Sequence, residues 1–198
     1  TAQKHFERVS FDLIYALPEQ TPREWAAQLA RALALGTSHL SLYQLTIEPG
    51  TRFATDVRRG AFAPLDDDLA ADLFDLTREV TGAAGLPAYE TSNHARPGEQ
   101  SRHNLTYWRY EDYAGIGPGA HSRVGSASCG GRLAAEAARK PADYIAGAAA
   151  GTAQVLETLS GRDEAVERIL MGLRLVEEGI IPDRILALTG ASVDQVSA

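Results

Sequence analysis

The chain has 198 residues, 44% of them hydrophobic and 23% charged, with a formal net charge of −7. That composition belongs to globular rather than disordered proteins, and the length suits one domain or one domain with a small second. Lys and Arg are scattered along an acidic chain, which argues against nucleic acid as a partner but leaves room for an acidic small molecule in a local basic pocket.

The single cysteine, Cys129, sits in the stretch GSASCGG. It has no partner for an internal disulfide and cannot alone hold an iron–sulfur cluster, which takes several thiolates. A reducing cytoplasm is the expected setting. No apolar run approaches the roughly 18 residues that cross a bilayer.

RVSFDLIYALP reads as a strand, with Val9, Phe11, Leu13 and Tyr15 alternating against Ser10, Asp12 and Ile14. Its near-continuous apolar content predicts cover on both faces. Thr21, Pro22 and Glu24 then open a helix as N-cap, first residue and capping-box partner, with Trp25, Leu29 and Leu33 on one face and Gly36 closing it. HLSLYQLTI is a second strand, Leu40 to Ile47. DDDLAADLFDLTREVTGAAG is a second helix, with Leu69, Leu73, Leu76 and Val80 as its stripe. LPAYETS is a third, short strand. Strand–helix–strand–helix–strand over 9–92 predicts parallel strands with helices outside, as in a doubly wound sheet or a β/α barrel.

From 93 to 131 the pattern fades into glycines, prolines and aromatics, a long loop of the kind that carries function or hides short elements. From 141 onward the chain reads as helical, and Val166, Ile169, Leu170, Leu173 and Val176 predict one apolar face. Both ends read as cut, because a three-stranded piece leaves Phe11 and Leu13 at a bare edge, a route to dimerisation.

Several residues are candidates for chemistry. Asp12 is a carboxylate among apolar strand neighbours, where a buried charge needs a partner or a ligand. GIGPGA, Gly115 to Ala120, fits a dinucleotide pattern, but it lacks the strand before and helix after that aim amides at a pyrophosphate. His94, His103 and His121 match no zinc spacing. SRHNLTYW, residues 101–108, gathers a histidine, an amide and two aromatics, with Tyr110 and Tyr113 nearby. The cluster is either an aromatic plug or the wall of a site for a planar ligand. Arg96 and Arg102 could pair with a ligand carboxylate or sit solvated.

FDLIYALPEQT, HLSLYQLTIEPGT, YETSNHARPG, SRHNLTYW and GIGPGAHS together resemble consecutive blocks of the radical S-adenosylmethionine (radical SAM) proteins related to oxygen-independent coproporphyrinogen III oxidase. HNLTYW resembles the H-N-x-x-Y-W block of the HemW-type heme chaperone branch. The resemblance runs from about residue 8 to 180. It implies an α/β fold: the latter part of a partial radical SAM-type β/α barrel over 1–135, then a small helical C-terminal domain over 136–198. It implies that Asp12, Leu45 and Thr46 line S-adenosylmethionine. It implies that His103, Asn104, Tyr107 and Trp108 face heme, with His103 as iron ligand.

The family's C-x-x-x-C-x-x-C motif is absent, so the [4Fe–4S] cluster is expected in a parent protein and not in this chain, which alone is expected to be inactive. Ser101 stands where the block often begins with Cys, and Ala16 where the family usually has Gly. The implied function is heme binding and delivery to apo-hemoproteins, membrane-associated recipients among them. The alternative is radical decarboxylation of coproporphyrinogen III in porphyrin biosynthesis.

Overall fold

The computed structural model describes residues 2–126 and 131–197, so Cys129 lies outside the described residues. The fold is mixed α/β, as the sequence predicts, in two compact units, Thr1–Ser101 and Arg102–Ala198.

In the first unit β1 (Ser10–Tyr15) runs parallel to β2 (His39–Gln44), with α1 (Pro22–Leu33) between them in sequence. The start of α1 is as expected: Thr21 Oγ1 accepts from the Glu24 amide at 3.3 Å, and the Glu24 carboxylate accepts from the Thr21 amide at 2.9 Å. A short helix the sequence reading did not foresee, α2 (Arg52–Arg58), is capped by Thr51. It is followed by α3 (Asp67–Ala83), which opens on Asp66.

Tyr15, Trp25, Leu29, Leu40, Leu42 and Leu73 form the core where α1 and α3 cover the sheet. Trp25 stacks on Tyr15 with ring centroids 4.9 Å apart, and its Nε1 donates to Thr77 Oγ1 at 2.7 Å. Burying side chains of this size stabilises by about 1.5–3 kcal/mol each.

Two expectations change here. β1 alternates as predicted, but it is not covered on both faces: Asp12 is exposed and Ile14 is 54% exposed, because the apolar core lies on one side of the sheet. The third strand is β3 (Asn93–Ala95), not 86–92, and it pairs with β2 antiparallel. The preceding segment doubles back on it, with Ala88 bridging His94. The reversal is pinned by the buried Glu90 carboxylate, which accepts from the Ser92 amide at 2.9 Å and from the Asn93 side-chain amide.

The second unit opens with α4 (Arg102–Trp108), a helix inside what reads from sequence as irregular loop. β4 (His121–Ser126), β5 (Gly131–Ala137) and β6 (Gln154–Thr158) form an antiparallel sheet in that order, with α5 (Pro141–Ala150) between β5 and β6 in sequence. The boundary expected between 135 and 136 falls inside β5. β6 also interrupts the segment expected to be helical throughout; all five of its residues are exposed, so no buried-face alternation marks it.

Helices α6 (Gly161–Gly172), α7 (Pro182–Thr189) and α8 (Val193–Ser197) close the unit around Ala165, Ile169, Ile185 and Val196. Of the predicted face of α6, Ile169 is buried in this core, whereas Val166, Leu170, Leu173 and Val176 are exposed. The small-residue face packs instead because backbone approaches it: a Cβ on Gly172 would stand 3.0 Å from the Gly179 carbonyl.

Candidate functional site

On α4 the spacing of four stacks His103 beneath Tyr107 and sets Asn104 and Trp108 on the adjoining strip. The His103 and Tyr107 rings meet edge to face at 4.8 Å. Tyr107 in turn meets Tyr113 at 4.5 Å. Tyr113 is held by a two-way backbone bridge to Arg123, its amide donating to the Arg123 carbonyl at 2.8 Å and its carbonyl accepting from the Arg123 amide at 3.0 Å. Burial pushes the Tyr113 hydroxyl up from its ordinary value. His103 itself is exposed, so the file His103–Tyr107–Tyr113 presents an imidazole to solvent on an aromatic backing.

Trp108 does not join that file. The Arg174 guanidinium lies 4.2 Å from its ring centroid. Its ring lines a separate cavity of about 180 Å³ beside α6 and α7. The indole Nε1 is buried with no acceptor. Asn104 is half-buried on the same strip.

Tyr110 is a packing residue. It takes φ +55°, turns the chain after α4, and lies between the Arg132 and Arg168 guanidinium groups at 4.4 and 4.7 Å. Its hydroxyl donates to Glu167, which also receives both ends of Arg123 at 2.8 Å. Burial pushes the Glu167 carboxyl up, but hydrogen bonds from Arg123 and Tyr110 outweigh that and hold it below the usual carboxylate range. Arg132 is buried and reaches Asp112 at 3.0 Å. The sequence reading missed this cluster. Glu164 and Arg168, four apart on α6 and paired at 2.7 Å, are its only local signal; Arg123 and Glu167 are 44 residues apart.

GIGPGA is a backbone crossing rather than a phosphate cradle. A Cβ on Gly115 would collide with the His121 carbonyl, and Gly117 and Gly119 take φ +115° and +71°. His121 begins β4 opposite Glu136. Arg102 is exposed on α4, and Arg96 is exposed just after β3.

In the first unit Asp12 stands on the open face of the sheet, in register with Ser41. Leu45 and Thr46 follow the end of β2, and the Leu45 amide donates to the Tyr15 carbonyl at 2.8 Å. From the level of Asp12 to that of Leu45 is four residues along the strand, about 13 Å. An exposed carboxylate in the middle of β1, and a hydroxyl and an apolar side chain just past the end of β2, are groups that suit a polar ligand such as S-adenosylmethionine. An iron–sulfur cluster is not accommodated by the described residues, which contain no cysteine and so no thiolate.

Two histidines of this unit, His39 and His94, hold structure. The Ser10 hydroxyl and His39 Nδ1 are 2.7 Å apart, and His39 Nε2 and the Tyr89 hydroxyl 3.0 Å apart. His94 shares a 2.8 Å hydrogen bond with Thr81 Oγ1, and burial, with Arg78 nearby, pulls it down to about 4. Among the described residues no three His, Cys, Asp or Glu side chains converge as a metal site, and no helix is long and apolar enough to cross a membrane.

The fold matches part of a solved radical SAM enzyme. The chain superposes on the coproporphyrinogen III oxidase HemN from Escherichia coli with a TM-score of 0.65 over 88% of its own length and 42% of that chain, at 22% identity. In sequence it is 47% identical over 124 residues to the mouse mitochondrial radical S-adenosyl methionine domain-containing protein 1, covering 63% of this chain and 28% of the relative. It is 47% identical over 115 residues to the heme chaperone HemW of Escherichia coli strain K12, covering 58% and 29%. It is 44% identical over 123 residues to HemW of Synechocystis, covering 62% and 30%. No family model matches. The homologues of this chain are thus HemW heme chaperones and radical S-adenosyl methionine domain proteins, as the sequence blocks imply. The matched stretch spans less than a third of each of these relatives.

Proposed function

We propose that this chain is the heme-binding portion of a HemW-like protein that passes heme to apo-hemoproteins, with His103 as axial iron ligand. The observation that carries the reading is the exposed His103 imidazole braced edge to face by Tyr107, itself packed on Tyr113. A ligating imidazole must keep one nitrogen free and hold its plane, and an aromatic neighbour at 4.8 Å restricts that plane without consuming a nitrogen. No three His, Cys, Asp or Glu side chains converge as a metal site among the described residues, and in this reading the iron brings the porphyrin's own nitrogens as its equatorial ligands.

Heme is the cargo in this reading. The parent's S-adenosylmethionine would lie against Asp12, Leu45 and Thr46, and its cluster would be held by residues outside this chain. The test is a hemin titration of the wild type and of His103→Ala. A saturable, shifted Soret band in the wild type that is lost in the variant supports the reading. Equal affinity and an identical spectrum in the two would refute it.

A further inference from the structure

The cavity beneath Trp108 is a second feature of the same helix that the iron-ligand reading leaves unused. It lies within the second unit and measures about 180 Å³, with Trp108, Leu175, Ile180, Ile185 and Arg184 among its lining residues. At roughly 30 Å³ per water it holds about six waters, well below the ~300–1,000 Å³ of a whole small-molecule site. A tetrapyrrole does not fit inside it, but one side arm does.

The chemistry of the wall selects the arm. Two of its arginines are neutralised: Arg109 by Glu178, with Nε at 2.8 Å from Oε2, and Arg168 by Glu164 at 2.7 Å. Arg184 is exposed, and among the described residues no carboxylate pairs with it. Leu175, Ile180 and Ile185 offer an apolar lining beside that unspent cation. The wall also includes an indole whose Nε1–H has no acceptor. The wall's remaining carboxylate, Glu111, acts on Arg109, and Arg184 beside Leu175, Ile180 and Ile185 suits a short alkyl chain ending in a carboxylate.

We propose that this cavity is a carboxylate subsite that takes a propionate arm of the porphyrin. The identity of the arm rests on the heme reading above; the carboxylate chemistry of the cavity does not. Trp108 follows His103 by five residues, about 7.5 Å along the helix axis, the scale of the distance from a porphyrin's centre to its side arms, and about 140° around it, so the arm would have to wrap past the helix edge to reach the cavity. One helix then sets the iron ligand and the wall of the arm's pocket at a fixed spacing. Arg184 is the specificity-determining residue: it separates porphyrins with free propionates from those without.

The experiment titrates hemin and hemin dimethyl ester, whose propionates are masked, into the wild type and into Arg184→Gln. The proposal expects the wild type to bind hemin about ten- to a hundredfold more tightly than the diester, the usual range for a charge-assisted contact, and R184Q to erase the difference. Equal affinities in the wild type, or a preference that survives in R184Q, overturn the subsite while leaving the heme reading standing. If neither porphyrin binds saturably, the heme reading fails, and pentanoate is then titrated while the Trp108 indole N–H resonance is followed. That signal is separable from the one other tryptophan, Trp25, by the Trp108→Phe variant. A saturable shift in the wild type that is absent in R184Q upholds a carboxylate site of another ligand; no shift overturns it.

Discussion

Acid should loosen the first unit well before ordinary carboxylates titrate, and His94 is the reason. The side chain is buried in the small polar seam between α3 and β3, against the Thr81 hydroxyl at 2.8 Å. Burial and then the Arg78 charge lower it from 6.5 to about 4, with Glu90 opposing and His39 reinforcing the shift. The unfolded chain therefore binds the proton first. Above pH 6.5 both states are neutral and nothing is lost; as pH falls toward about 4 the unfolded state gains, and the folded state is destabilised by up to about 3 kcal/mol at 1.36 kcal/mol per pH unit.

Between pH 6.5 and 5 that amounts to about 2 kcal/mol, in a window where ordinary carboxylates stay ionised. His39, also lowered by burial with Asp12 opposing, acts in the same direction. Urea unfolding followed by Trp25 fluorescence in a Trp108→Phe background reads this unit alone, since these are the chain's two tryptophans. The midpoint should fall steadily from pH 7 to 5, and a His94→Gln variant should flatten that fall. A midpoint unchanged over the range, or one that falls as steeply in H94Q, would refute the reasoning.

Other outcomes follow from the second unit. Gly115→Ala drives a Cβ into the His121 carbonyl and should cost about 1–3 kcal/mol in thermal or urea unfolding, whereas Gly125→Ala, whose Cβ meets only the Asp112 carboxylate at 3.5 Å, should be within about 0.5 kcal/mol of neutral. Glu167→Gln breaks a two-point ion pair with Arg123 and weakens the contact to Tyr110. With the pair only part-buried, at 17% and 27% side-chain exposure, the loss should be about 1–3 kcal/mol at neutral pH. It should shrink in acid, where the wild-type carboxyl, held below its usual range, also becomes protonated.

Much of the fold was legible because local chemistry and packing agree. The capping box at Thr21 and Glu24, the spacing of Trp25 and Leu29, and the alternation of Phe11, Leu13 and Tyr15 each predict what forms. The failures come where the apolar pattern is silent: Asn93–Ala95 reverses on a local turn held by Glu90, β6 shows no buried face, and α6 packs Ala165, Ile169 and Gly172 rather than its leucines. Ala16, where the resembled family usually carries Gly, takes φ +56°, a backbone demand that only the family pattern signals.

The aromatic block was visible as a block, but its division was not. Tyr107 and Trp108 are adjacent but point about 100° apart around the helix, and the destination of each strip is set by Tyr113 and by Arg174.

The central claim, that His103 meets iron, is tested most directly by the iron–imidazole stretch. Resonance Raman spectra of the ferrous heme complex would be recorded with the histidines at natural abundance and 15N-labelled, for the wild type and for His103→Ala. The account predicts a low-frequency band that shifts on 15N labelling in the wild type and is missing in the variant. A label-sensitive band that persists in H103A would place the iron on another of the five histidines and contradict the account.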